Sequence, residues 1–143
     1  MTNPVPADLE AWGAIRDKIH HAAQQVMGPL PQRDRSSPPK WSILDETDCG
    51  SYIRQSITYE ADEGCETTAF ICLPHIASSE PRPGVLCLHP TNGEQGVRDV
   101  VGLSGRPNRS YASELAEEGF VTISPSYPLM ADYQPDLDAL GYE

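Results

Sequence analysis

Apolar positions along the 143 residues recur with three spacings, and each spacing marks a different kind of element. Leu9, Trp12, Ile15, Ile19 and Val26 fall on one helical stripe, with Ala22 and Ala23 filling it, so residues 8 to 27 read as an amphipathic helix. Asp8 suits its N-cap or first turn, and Gly28-Pro29 stops it. Ser51 to Glu60 alternates instead, with Ile53, Ile57 and Tyr59 opposed to Arg54, Ser56 and Thr58. Thr67 to Leu73 is a second strand, and residues 61 to 64 join the two as a hairpin with Gly64 free to take positive φ. The third pattern does not alternate. Val85 to Leu88 is a short continuous apolar run of the kind buried on both faces of a sheet. It stops at His89-Pro90, where the missing proline N–H and the Asn92-Gly93 turn pair end a strand.

The intervening segments are polar and rich in turn residues. Residues 29 to 40 hold four prolines and read as an extended connector, pinned back onto the body by Trp41, Ile43 and Leu44. Glu94 to Pro107 is a long polar connection leading to a helix capped by Asn108, with Tyr111, Ala112 and Leu115 on its buried side and Gly119 at its end. Phe120 to Ser124 is another buried-type strand, ended by Pro125-Ser126-Tyr127-Pro128. Strand, loop, helix, strand within these residues make a βαβ unit with a right-handed crossover. No further strand pattern follows before Glu143. The expected class is α/β: an antiparallel pair plus one βαβ unit behind an N-terminal helix, divided into residues 1–40 and 41–143.

Composition narrows the functions open to such a domain. Twenty-one acidic against ten basic residues give a net charge of -11, and the Lys and Arg residues form no cluster, which argues against a nucleic-acid groove or an anionic membrane surface. Fourteen prolines and 38% hydrophobic residues leave much of the chain for loops. Cys49, Cys65, Cys72 and Cys87 make no C-x-x-C pair and have no histidine at metal-ligand spacing; Cys72 and Cys87 sit in apolar strand patterns as buried thiols. His20 and His21 belong to a solvated helix end, His75 to a polar loop, and neither suggests a metal site. No metal or cofactor is expected. The first residues carry no signal-peptide pattern and no stretch reaches transmembrane length, so the cytoplasm is the expected location.

The ordered set of an antiparallel pair, a strand opening into His-Pro-Thr-Asn-Gly, a helix Tyr-Ala-x-x-Leu-Ala-x-x-Gly and a strand ending Pro-x-Tyr-Pro resembles the N-terminal half of an α/β-hydrolase. More narrowly it resembles the dienelactone-hydrolase-like and acetyl-xylan-esterase-like branch, over residues 41 to 135. That resemblance implies a partial α/β-hydrolase sheet and a serine hydrolase acting on carboxylic esters or related acyl compounds, with a small ester as partner. It also implies that the loop His89, Pro90, Thr91, Asn92, Gly93 supplies half of an oxyanion hole. Pro90 cannot donate, so Thr91 N–H is the implied donor, Asn92 the next, and His89 the residue that fixes the loop rather than a catalytic base.

The rest of the family pattern is missing. No G-x-S-x-G occurs; Gly102-Leu103-Ser104-Gly105 has the wrong spacing, and Ser126 stands where the family's strand-end motif has Asp. Nucleophile, acid and base would lie beyond Glu143. The chain is therefore expected to be a truncated or split hydrolase portion, inactive alone, with no catalytic residue of its own. The resemblance places the Val85–Leu88 strand between two others, one of them absent here. Its edge would be open to self-association, which gives an alternative non-catalytic role. A third alternative is an unrelated small α/β domain with a metal site.

Overall fold

A computed structural model describes residues 5–28, 37–62, 64–75, 81–131, 133–139 and 141. The chain divides into two units, Met1–Ser37 and Pro38–Glu143. The first contains helix α1, Leu9–Met27. Extended Asp8 accepts a hydrogen bond from Ala11 N–H at 2.8 Å, satisfying one of the donors a helix start leaves open. Gly28, at φ 77°, ends the helix as expected. None of the residues of α1 is buried. Most of the expected connector (29–36) and part of the loop before the third strand pattern (76–80) lie outside the described residues. No described helix is long and apolar enough to cross a membrane.

The second unit is built on a mixed five-stranded sheet: β1 (Trp41–Asp48), β2 (Tyr52–Asp62), β3 (Cys65–Pro74), β4 (Gly84–Leu86) and β5 (Val121–Pro125), in the order β1-β2-β3-β5-β4. The first three strands and the β3–β5 pair are antiparallel; β4 and β5 are parallel. The class is α/β, a mixed sheet with an N-terminal helix. Gly64, at φ 70°, closes the β2–β3 hairpin. Helix α2 (Tyr111–Glu117) and a 3-10 turn (Gly96–Asp99) lie in the β4–β5 crossover. Ala112 and Ala116 of α2 are wholly buried, and Thr122 of β5 donates its hydroxyl to the Ala112 carbonyl at 3.1 Å. Small residues let helix and strand approach this closely.

Register fixes what each face of the sheet carries. Arg54, Cys72, Thr122 and Val85 form one row across β2, β3, β5 and β4 on the side where the core gathers. Gln55, Ile71, Ile123 and Leu86 form the adjacent row on the opposite side. The core joins Tyr52, Cys72 and Cys87 to Val97, Val100 and Val101 of the crossover and to the α2 alanines.

Five sequence expectations change here. Trp41–Leu44 is part of strand β1, hidden because a bulge between Ile43 and Asp45 breaks the period of two. The Val85–Leu88 run is not covered on both faces: Cys87 is buried, but Leu86 and Leu88 are 61% and 52% exposed, and among the described residues β4 pairs only with β5. The polar connection after it is half core, since Val100 and Val101 are fully buried. Asn108 does not cap α2: it takes φ 57°, and Ser110 is the N-cap, without a side-chain bond. His75 is not merely solvated; its Nε2 lies 2.9 Å from Asp48 Oδ1, and that contact holds the Asp48 carboxyl below its ordinary range. Gly119 ends α2 at φ 94° as the sequence suggests, and all four cysteines are free thiols.

Candidate functional site

Parallel strands β4 and β5 both point their C-terminal ends at the segment after Leu88, the position where open α/β sheets place ligands. His89 leads that segment and is 4% exposed. Its Nε2 accepts the Tyr127 N–H at 3.1 Å, so Nδ1 carries the proton and donates to the Pro90 carbonyl at 2.9 Å. The ring also stacks on Tyr127 with centroids 3.9 Å apart. One neutral imidazole thus ties the loop after β4 to the end of β5. With both nitrogens engaged, His89 has no lone pair left for a general base.

Asn92 is the second anchor. Its side-chain oxygen accepts the amides of Glu94 and Gln95, and its Nδ2 donates to Asp99 Oδ2 at 3.0 Å. Asp99 is 1% exposed and 3.7 Å from the Arg106 guanidinium, which is itself half-exposed. The Ser104 hydroxyl, then the Asn92 amide, then Arg106 and Arg109 hold its carboxyl below the ordinary value against the opposing effect of burial. Ser104 is close enough to act on the charge, yet Oδ1 meets no donor in full hydrogen-bond geometry. No motif marks Asp99 in the sequence; its one signal is an acid set among Val97, Val100 and Val101. A third anchor comes from the turn after β5, where Ala131 N–H donates to the Gly93 carbonyl at 2.9 Å. Leu129 and Ala131 hold positive φ of 63° and 48° there, a conformation non-glycine residues rarely take.

These anchors sort the loop's own amides. Asn92 N–H is turned onto the Pro90 carbonyl at 2.8 Å, so it cannot also face a ligand. Thr91 is exposed, and its N–H makes no hydrogen bond to any described residue. Gly93 N–H is likewise unpaired. The five segment residues therefore lie together at the sheet's C-terminal end. Tyr111 of α2 reinforces the entry by donating its hydroxyl to the Leu88 carbonyl.

Among the described residues no serine, threonine or cysteine side chain is hydrogen-bonded to a histidine. Ser126 exchanges a 2.9 Å hydroxyl contact with Thr68 instead, and Ser124 is buried without a partner. No described group of three or more His, Cys, Asp or Glu residues could hold a metal ion.

The sheet and crossover have a counterpart among solved proteins. The chain is similar to the crystal structure of a protein from Bacteroides fragilis NCTC 9343 assigned as an acetyl xylan esterase, with a TM-score of 0.69 and 15% identity. The likeness is one of fold. The match covers 88% of this chain and 33% of the neighbour, so the chain spans about a third of that protein's length. No family model matches the sequence, and no curated protein does.

Proposed function

We propose that the 38–143 unit is the oxyanion-side portion of a serine hydrolase that cleaves carboxylic esters or related acyl compounds. Thr91 N–H would be its donor to the developing oxyanion, and His89 and Asn92 would hold the loop in place. The observation that carries this reading is the exposed Thr91 amide, bonded to no described residue, on a loop held by three separate anchors. Water satisfies such an amide in the resting state; catalysis needs a donor already aimed at where charge will develop. Likeness to the esterase fold supports the class of chemistry. Because the 143 residues contain no nucleophile elbow, the chain alone should not turn over substrate. The purified chain should show no hydrolysis of a p-nitrophenyl ester and no labelling by a fluorophosphonate. Turnover that survives purification and titrates with such a probe would overturn the assignment.

A second reading rests on the edge of β4. Leu86 and Leu88 are exposed beside a strand that, among the described residues, is paired on one side only, the situation soluble proteins usually avoid. A non-catalytic chain that self-associates through this edge would sediment as a dimer or larger. A strictly monomeric chain at high concentration would remove that alternative.

A further inference from the structure

On the core side of the sheet a groove of about 440 Å³ opens between the β1–β3 strands and the crossover segment. Arg54 and Ser56 sit two apart on β2, Phe70 lies opposite Ser56 on β3, and Gln95 and Leu103 form the far wall. We propose that this groove binds a small organic monocarboxylate, with its carboxylate against Arg54 and its apolar body on Phe70 and Leu103.

The case begins with Arg54. It is half-buried, and of its five guanidinium donors the one at Nη1 reaches the Val101 carbonyl at 3.3 Å. No carboxylate of a described residue lies within 4.0 Å of it, although acids outnumber bases 21 to 10 in this chain. Lys40 and Arg106 both have acidic partners within that range, at Glu60 and Asp99. A partly desolvated cation with no described carboxylate within 4.0 Å, facing a groove, favours an anion there, and the flat guanidinium fork suits a carboxylate.

The remaining lining limits which anion. Phe70 and Leu103 offer apolar surface that an inorganic ion cannot use. Asp45, exposed on β1 opposite Ser56, also lines the groove and repels any anion in it, so Arg54 can offset one negative charge there but not two. Ser56 and Gln95 supply neutral hydrogen-bonding groups beside the guanidinium. Arg98 lines the wall too. The test of this site reads binding and not turnover, so its failure and that of the acyl-transfer reading are distinguishable.

Titrating the isotope-labelled full chain with benzoate, benzyl alcohol and phthalate, followed by amide NMR, tests the proposal. Benzoate should produce saturable shifts confined to the strands around Arg54 and Phe70 and to residues 95–103. Benzyl alcohol and phthalate should bind at least about tenfold more weakly, and Arg54→Gln should weaken benzoate by at least about tenfold. Equal binding of benzoate and its neutral analogue, shifts centred elsewhere, or a folded Arg54→Gln that binds benzoate unchanged would each overturn it. Should Arg54→Gln fail to fold, the comparison of the three probes on the unaltered chain decides alone.

Discussion

Replacing His89 by alanine tests how the loop after β4 is held. The substitution removes the Nδ1–H bond to the Pro90 carbonyl, the acceptor for Tyr127 N–H and the stack on the Tyr127 ring. A net hydrogen bond contributes about 1 kcal/mol, and an amide left unpaired in a half-buried site costs about 1–3 kcal/mol. The ring contact adds about 0.5–1.5 kcal/mol. Some resolvation of the Pro90 carbonyl offsets this, leaving an expected loss of about 3 kcal/mol. Small domains are stable by only about 5–15 kcal/mol, so the effect is large. With a urea m-value of about 1.5 kcal/mol/M, the midpoint should fall by about 2 M. His89→Phe keeps the ring but neither bond, and should recover only the stacking part. Hydrogen exchange gives the local readout: the Tyr127 amide should be protected in the parent chain and exchange faster in both variants. A midpoint shift below about 0.3 M, with Tyr127 protection unchanged, would refute the claim that this imidazole ties the loop to β5.

Other substitutions probe separate parts of the arrangement. Asp99 has its carboxyl held below its ordinary value of 3.8, so its contribution is complete above that value and is lost as pH falls below it through the folded-state value. Asp99→Asn should therefore cost about 1.5–3 kcal/mol near neutrality in urea unfolding, and the gap between variant and parent should narrow below pH 3.8; a gap independent of pH would contradict it. In an active hydrolase containing this segment, Thr91→Pro removes the donor and should lower kcat about 10²–10³-fold with little change in KM; an unchanged kcat would discard Thr91 as the donor. Burial pushes the Cys72 thiol up to about 11, which leaves only about a thousandth of it ionised at pH 8. Mass spectrometry after brief iodoacetamide treatment should find Cys72 unmodified in the folded chain and modified in urea, and equal labelling of Cys72 and half-buried Cys65 would show that the core is open.

The elements with undisturbed periods were legible in the sequence. The α1 stripe, the β2 alternation and the β5 run each appear where their patterns put them. Patterns failed where a local device broke the period or where tertiary context decided the outcome. The bulge after Ile43 concealed β1, and Val97, Val100 and Val101 vanished into a segment whose glycines and charges suggested a plain loop. Continuous hydrophobicity in Val85–Leu88 correctly marks a strand. It does not say whether a covering layer is present, because that depends on neighbours distant in sequence. The loop's backbone chemistry was partly readable: Pro90 excludes one donor by its covalent structure. That Asn92 turns its own amide inward and clamps Asp99 could not be read, since the contact spans a loop whose conformation no periodicity encodes.

The anchors of the loop and the open edge of β4 are physically separable, and that separation bears on both proposed readings. The groups outside the loop that hold it belong to the 3-10 turn, to the segment after β5 and to α2. None of them belongs to whatever might pair with β4. Register places Leu86 beside Ile123 on the face away from the core, so a partner strand would meet Leu86 without displacing His89 or Asn92. Leu86→Lys should then abolish any concentration-dependent association seen by sedimentation while leaving Tyr127 amide protection as it was. Loss of protection in that variant would mean that the edge and the loop form one cooperative unit. In that case a donor aimed in advance could not exist until the edge was filled, and the oxyanion reading would hold only for the assembled protein.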